Sequence, residues 1–163
     1  MIRIENNADN EPIDIELSTL ENAKLDNLNL HRALLSGVNL KGASLTGSNL
    51  RSAELEGADL SCANLYECGL MAAWLKNAKL VNAKLVNAKL SGADFEDANL
   101  ENADLTGADV WNTNFKGAKL LGTIMICNRI SDVNLTDAIF DNNTKWPKGF
   151  NPIEKGAKNI NEV

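Results

Sequence analysis

Catalysis and metal binding need particular side chains at particular spacings, and this chain offers few of them. It holds one histidine, His31, and three cysteines, Cys62, Cys68 and Cys127. A histidine acts as a base only beside a nucleophile and an orienting partner, and no local pattern supplies that set. The cysteines show no CxxC spacing and there is no second histidine, so the donor set for a zinc site is missing. Glycines occur singly, never as GxGxxG or GxxxxGK, so no phosphate-cradling loop is encoded. The chemistry points to a protein that is not an enzyme and takes no cofactor or metal. The start, Met1-Ile2-Arg3-Ile4-Glu5, has no apolar h-region, and no run approaches the roughly 18 apolar residues of a membrane span. A cytoplasmic protein with reduced thiols is expected, with no membrane partner.

What remains is binding, and charge restricts the partner. The 163 residues carry 16 basic and 22 acidic side chains, a net charge of −6. That balance disfavours nucleic acid and anionic membranes, which select basic patches. A protein partner is expected, with the chain itself a monomer or weak dimer. The acidity is uneven: residues 1–20 contribute −4, residues 21–140 contribute −3 and the remainder +1. Composition is more skewed than charge. With 23 Leu, 23 Asn and 19 Ala, three residue types make up about 40% of the chain, while aromatic residues are only 5%. The length suits a single domain.

The skew is a repeat. Read in fives from Glu21, the chain runs ENAKL, DNLNL, HRALL, SGVNL, and continues unbroken for 24 blocks to Phe140. The fifth position is always large and apolar; the third is usually Ala. A weaker register extends upstream through Ile13, Ile15 and Leu20. Five fits neither common element. On a helix the leucines would step by about 140° and scatter around the axis. On one continuous strand an odd period would flip each Leu to the opposite face. The pattern closes if positions three and five point inward along a short extended stretch, position four points outward, and the chain turns at position two. That position holds eight Gly, seven Asn, three Asp and one Ser, residues that accept tight-turn geometry; Arg32, Cys62, Glu67, Ala72 and Cys127 fill the rest. A chain that turns the same way at every block winds around a lumen of Leu and Ala, which is a β-solenoid.

Blocks such as EGADL, SCANL, SGADF, ENADL and TGADV resemble the A(D/N)Lxx consensus of the pentapeptide repeat family, over about three quarters of the chain. The resemblance implies an all-β fold, a right-handed quadrilateral parallel β-helix with four blocks per coil. About six 20-residue coils would form a rod roughly 30 Å long. The charges support a 20-residue coil independently. Glu56, Lys76, Glu96 and Lys116 would stack in one outward ladder, where opposite charges on neighbouring strands stabilise by a few tenths to about 1 kcal/mol. Leu45, Leu65 and Leu85 become lumen residues one coil apart, and Phe95 and Phe115 become a stacked pair.

The expected organisation is a polar segment or thin cap at 1–12, the β-helix at 13–140 and a C-terminal cap and tail at 141–163. An open-ended stack needs caps. Trp146, Pro147 and Phe150 suit one, since the rings cover the last coil and proline forbids a further ladder strand. The stretch TKWPKGFNP also resembles the tail of many cyanobacterial members of the family. One stretch breaks pattern: in LGTIMICNRI, 121–130, outward positions turn apolar and Asn128 falls on an inward slot. A bulge, a loop leaving the wall, or cover by the C-terminal segment would each account for it, and cover needs no further partner.

Outward positions are mostly polar, with one exception. The wall of blocks ending at 35, 55, 75, 95, 115 and 135 presents Arg51, Met71, Trp74 and Trp111, beside His31 and Leu34. With only Ser91 between them, the Trp111 indole is expected to lean toward Met71. Exposed Trp and Met near Arg have the composition of interface anchors. The expected function is a rigid, non-enzymatic scaffold for protein–protein interaction, with a regulatory or adaptor role suggested by the family. Two alternatives stand beside it. Some family members are DNA mimics that bind type II topoisomerases, but the wall charges over 21–140 sum to only −1, 0, −1 and −1. The other is a purely structural rod.

Overall fold

In the computed structural model, which describes residues 2–6 and 11–161, the five-residue period becomes a corner and a short ladder segment. From Asn22 to Gly122 every position-two residue has φ between 52° and 70°. Left-handed backbone suits Gly and, less well, Asn and Asp, which is why those residues dominate the corners. Each corner then delivers position four to a parallel bridge one coil away. Lys24 pairs with Ser44, Asn29 with Asn49, Leu34 with Glu54 and Asn39 with Asp59, which defines four walls and a coil of 20 residues. The fold is a right-handed quadrilateral β-helix.

The backbone accounting shows why the stack is stable. In block 81–85, Asn82 N–H donates to the Glu101 carbonyl at 2.9 Å, Lys84 to Ala63 at 2.9 Å and Leu85 to Asp104 at 2.7 Å, all in adjacent coils. Ala83 N–H closes the turn onto the Leu80 carbonyl at 3.0 Å. The fifth donor, at position one, is met by a side chain where the preceding position four is Asn or Asp. Asp59 Oδ1 accepts from Ser61 N–H at 3.0 Å, Asn99 Oδ1 from Glu101 at 3.0 Å and Asp104 Oδ1 from Thr106 at 2.9 Å. Asn and Asp recur at position four because their short side chains reach the amide two residues on.

The lumen is apolar and continuous. Leu45, Leu65 and Leu85 are fully buried, and the Phe95 and Phe115 rings stack at 5.2 Å between centroids, 20° apart. Where a small inward slot holds Thr, the hydroxyl donates to a carbonyl of the preceding coil: Thr113 to Leu90 at 2.9 Å, Thr123 to Leu100 at 2.7 Å. A buried hydroxyl with a partner avoids the desolvation penalty of an orphan.

At the N-terminal end the structure departs from the extended register. Ile13–Ile15 does not form a coil; it is β2 of a hairpin, paired antiparallel with β1 at Ile2–Ile4. Ile4 is buried in the core, and the Glu5 carbonyl accepts Leu34 N–H at 2.8 Å. Two strands exclude water from the first lumen layer where a coil with Ile at two inward slots had been expected. The first parallel bridge is at Lys24.

At the other end the ladder runs past Phe140. Lys145 bridges Ile124, and β4 at Lys158–Asn159 pairs parallel with β3 at Ile139–Phe140. In KGAKN, 155–159, Gly156 turns at φ 91° and Ala157 is buried, so this stretch repeats the block geometry without a terminal Leu. Trp146 meets Phe140 edge-on at 5.5 Å and Phe150 at 5.5 Å, and both Trp146 and Phe150 pack against the core. Pro147 follows as a half-buried residue. The C-terminal segment therefore lies over the irregular stretch, with Met125 N–H donating to Lys145 at 2.7 Å.

Asn128 is exposed, which corrects its expected inward placement. The corner at 126–128 is one residue shorter than the others: Cys127 N–H donates to Met125, two residues back, at 2.8 Å. Cys127 takes the inward slot, Asn128 bridges Asp109, and Arg129 becomes the left-handed residue at φ 54°. A 3₁₀ turn at Ile130–Asp132 restores the register.

Candidate functional site

Because position four always faces outward, the wall through Leu34, Glu54, Trp74, Asp94, Asn114 and Asn134 presents whatever the sequence places there on a rigid ladder. Trp74 is held on both sides, its N–H donating to Ala53 at 3.0 Å and its carbonyl accepting from Leu55 at 2.8 Å, while its side chain is 57% exposed. Two shallow depressions share Arg51. One, of about 500 Å³, is lined by Trp74, Arg51, His31, Arg32, Ser52 and Glu54. The other, of about 320 Å³, includes Arg51, Met71, Glu67, Lys89 and Gly69. Gly69 replaces a wall side chain between Asn49 and Lys89, and the missing side chain makes the notch.

Of the four residues expected on this surface, the structure brings three together. Arg51 lies between the two depressions, Trp74 lines one and Met71 the other. Trp111, 48% exposed, does not lean toward Met71. Its ring lies under the Arg129 guanidinium, 5.5 Å from the centroid. Arg129 reaches there because the short corner carries it to the edge of the wall. Its Nε donates to Asp109 Oδ1 at 2.7 Å and its second nitrogen engages Asp109 Oδ2, with Ser91 Oγ also bound at 3.0 Å. This bidentate grip holds Asp109 below the usual carboxylate range. Arg32, Lys89 and Arg129 belong to the surface and were not singled out from sequence. Arg32 had been read only as a corner, and Arg129's position depends on the shortened turn.

The charge ladder is partly formed. Glu96 accepts from Lys116 at 3.1 Å and pairs ionically with Lys76 at 3.6 Å, and the Lys116 contact chiefly lowers the Glu96 pKa. It is a surface pairing between coils, a stability feature. The cysteines are all free thiols: Cys62 exposed at a corner, Cys68 buried, Cys127 partly buried. Burial pushes the Cys68 and Cys127 thiols up to about 12, far from a reactive thiolate. Among the described residues no group of three or more His, Cys, Asp or Glu is placed to hold a metal ion, and no helix is long and apolar enough to cross a membrane.

Comparison with known proteins agrees with this geometry. The family description "Pentapeptide repeats (8 copies)" matches residues 17–51, and "Pentapeptide repeat region" matches residues 48–125. Among solved structures, the pentapeptide repeat protein Rfr23 from the cyanobacterium Cyanothece 51142 is 25% identical with a TM-score of 0.61, over 77% of this chain and 89% of that one. HetL, a pentapeptide repeat protein involved in heterocyst differentiation regulation in the cyanobacterium Nostoc, is 26% identical with a TM-score of 0.45, over 76% of this chain and 64% of its own. QnrB1, a plasmid-mediated fluoroquinolone resistance protein, is 19% identical with a TM-score of 0.43, over 91% of this chain and 86% of its own. No curated protein sequence matches significantly. With its 20-residue coils, left-handed corners and two adjoining family matches, the chain belongs to the pentapeptide repeat family.

Proposed function

We propose that the protein is a non-enzymatic cytoplasmic scaffold, monomeric or weakly dimeric, that engages a protein partner through the wall carrying Arg51, Met71, Trp74 and Trp111. The observation that carries this reading is the position of Trp74. In the three coils that follow it on this wall the same slot holds Asp94, Asn114 and Asn134, each accepting the amide two residues on; with Trp there, no side chain accepts from Lys76 N–H among the described residues. The block gives up a hydrogen bond worth about 1 kcal/mol and presents a large indole to water instead. An exposed aromatic on a rigid element, beside an arginine and a methionine, is the composition of an interface hot spot. A DNA-mimic surface is disfavoured by the lysines, since Lys76, Lys79, Lys84 and Lys89 girdle the middle of the rod and Lys116 and Lys119 recur two coils beyond Lys76 and Lys79.

The test is affinity capture from native extract with wild type and with Trp74→Ala combined with Trp111→Ala. A partner retained by wild type and lost by the double variant supports the wall. An unchanged partner set and unchanged oligomer size would leave a purely structural rod as the better reading.

A further inference from the structure

The four arginines divide into two pairs with different surroundings. Arg3 grips Asp14 bidentately at 2.8 and 2.9 Å, and Arg129 grips Asp109 in the same manner. Both exploit the planar guanidinium fork, which matches a carboxylate better than lysine does. Arg32 and Arg51 form no ion pair among the described residues, and both line the same depression of about 500 Å³. Ser52, His31 and Trp74 line the same depression. Glu54 contributes the single carboxylate of the lining.

We propose that this depression takes an acidic peptide segment of a protein partner, its carboxylates held by Arg32 and Arg51 and a neighbouring apolar side chain laid against Trp74. The proposal rests on the wall being a protein-contact surface and adds what the partner must carry. Charge complementarity decides the occupant. Two forks without carboxylates call for carboxylates, and an indole beside them offers an apolar platform within reach of the same short segment. Nucleic acid would need cations continuing along the wall to meet successive phosphates, and the next two blocks of this wall, 71–75 and 91–95, carry no Lys or Arg, so two arginines suit a short acidic segment rather than a phosphate backbone.

The experiment titrates the full chain, at low and at moderate salt, with a synthetic peptide in which glutamates flank one phenylalanine. Trp fluorescence and calorimetry read the binding. Saturable binding to wild type is expected, with affinity falling by about tenfold or more in Arg32→Asn combined with Arg51→Gln. Removing two equally exposed charges elsewhere, Lys41→Gln with Lys148→Gln, is expected to change affinity by less than about twofold, since distant surface charges are screened. The glutamine version of the peptide is expected to bind as weakly as the glutamate version binds the arginine double variant. No measurable binding to wild type, a loss under about twofold in the arginine double variant, or tighter binding of oligothymidylate than of the peptide overturns the proposal. If the glutamine peptide binds as well as the glutamate one and Trp74→Ala abolishes both, the acidic assignment fails while the wall survives. If no peptide binds and the tryptophan double variant also captures the same proteins as wild type, both readings fail together.

Discussion

Leu85→Ala tests whether the lumen is the rigid, filled core that the hydrogen-bond ladder implies. Leu85 is fully buried, with Leu65 and Leu105 one coil away on either side, both also fully buried. Its own amide is fixed to Asp104 at 2.7 Å on one side, and on the other Leu65 N–H donates to the Lys84 carbonyl at 2.7 Å and Lys84 N–H to Ala63 at 2.9 Å, so the coil spacing on both sides is set by backbone bonds. Neighbouring coils cannot slide inward to fill the void. Leu→Ala in a core costs about 2–5 kcal/mol, with the upper end at sites that cannot collapse, so about 4 kcal/mol is expected here. For a chain of this length about 1 kcal/mol moves the midpoint by roughly 2–4 °C, which predicts a fall of about 10 °C or more in calorimetric melting. Leu17→Ala is the internal control: that side chain is 39% exposed, and about 0.5 kcal/mol or less is expected there. A midpoint shift at Leu85 no larger than that at Leu17 would refute a tightly packed lumen at that level.

Other consequences are equally direct. Ala72 stands at a left-handed corner, φ 53°, so Ala72→Gly relieves a strain of about 1 kcal/mol, partly offset by unfolded-state entropy; a rise in melting temperature of about 1–2 °C is expected. Asp109 is held below its usual range by Arg129, so the contact stabilises the fold above the ordinary carboxylate pKa of about 3.9 and is lost as pH falls through the depressed value. Arg129→Gln should therefore melt lower than wild type at pH 7 and indistinguishably from it near pH 2; a gap that persists in acid would show that the ion pair is not its source. Cys62 is exposed whereas Cys68 and Cys127 are shielded with thiols pushed up to about 12, so a thiol reagent at pH 8 should modify one cysteine rapidly in the native protein and all three after unfolding, read by mass spectrometry.

The lumen was legible because burial acts on every block alike. A Leu at each fifth position and Ala at each third leave one arrangement in which all are inside, and residues 20–125 adopt it. Asp and Asn at position four were legible as outward, but their reason, acceptance of the amide two residues on, needed the corner geometry. The ends were less readable. Ile13 and Ile15 keep the five-residue phase, yet pairing with Ile2–Ile4 in a hairpin puts Ile4 into the core, and a period shared by two isoleucines cannot distinguish the two outcomes. At Cys127 the choice between a three-residue and a four-residue corner rests on a small local difference. That difference decides whether Asn128 or Cys127 faces inward, and it carries Arg129 to the Trp111 ring.

The division between what could and could not be read follows from how the fold distributes its constraints. Inward positions are set by packing and corners by backbone conformation, so three of every five residues report on the fold. Positions one and four are constrained only weakly, by an amide that water can also satisfy. Trp74 and Arg51 occupy those positions with residues that stabilise nothing visible in the coil: Arg51 forms no ion pair among the described residues, and the Trp74 side chain is largely exposed. Function can accumulate there at little cost to stability. The separation gives a sharp expectation for the surface variants: Trp74→Ala and Arg51→Gln should melt within about 0.5 kcal/mol of wild type while altering binding. Were either to destabilise the rod by several kcal/mol, the residue would be part of the framework, and its claim to be a contact residue would lose its physical basis.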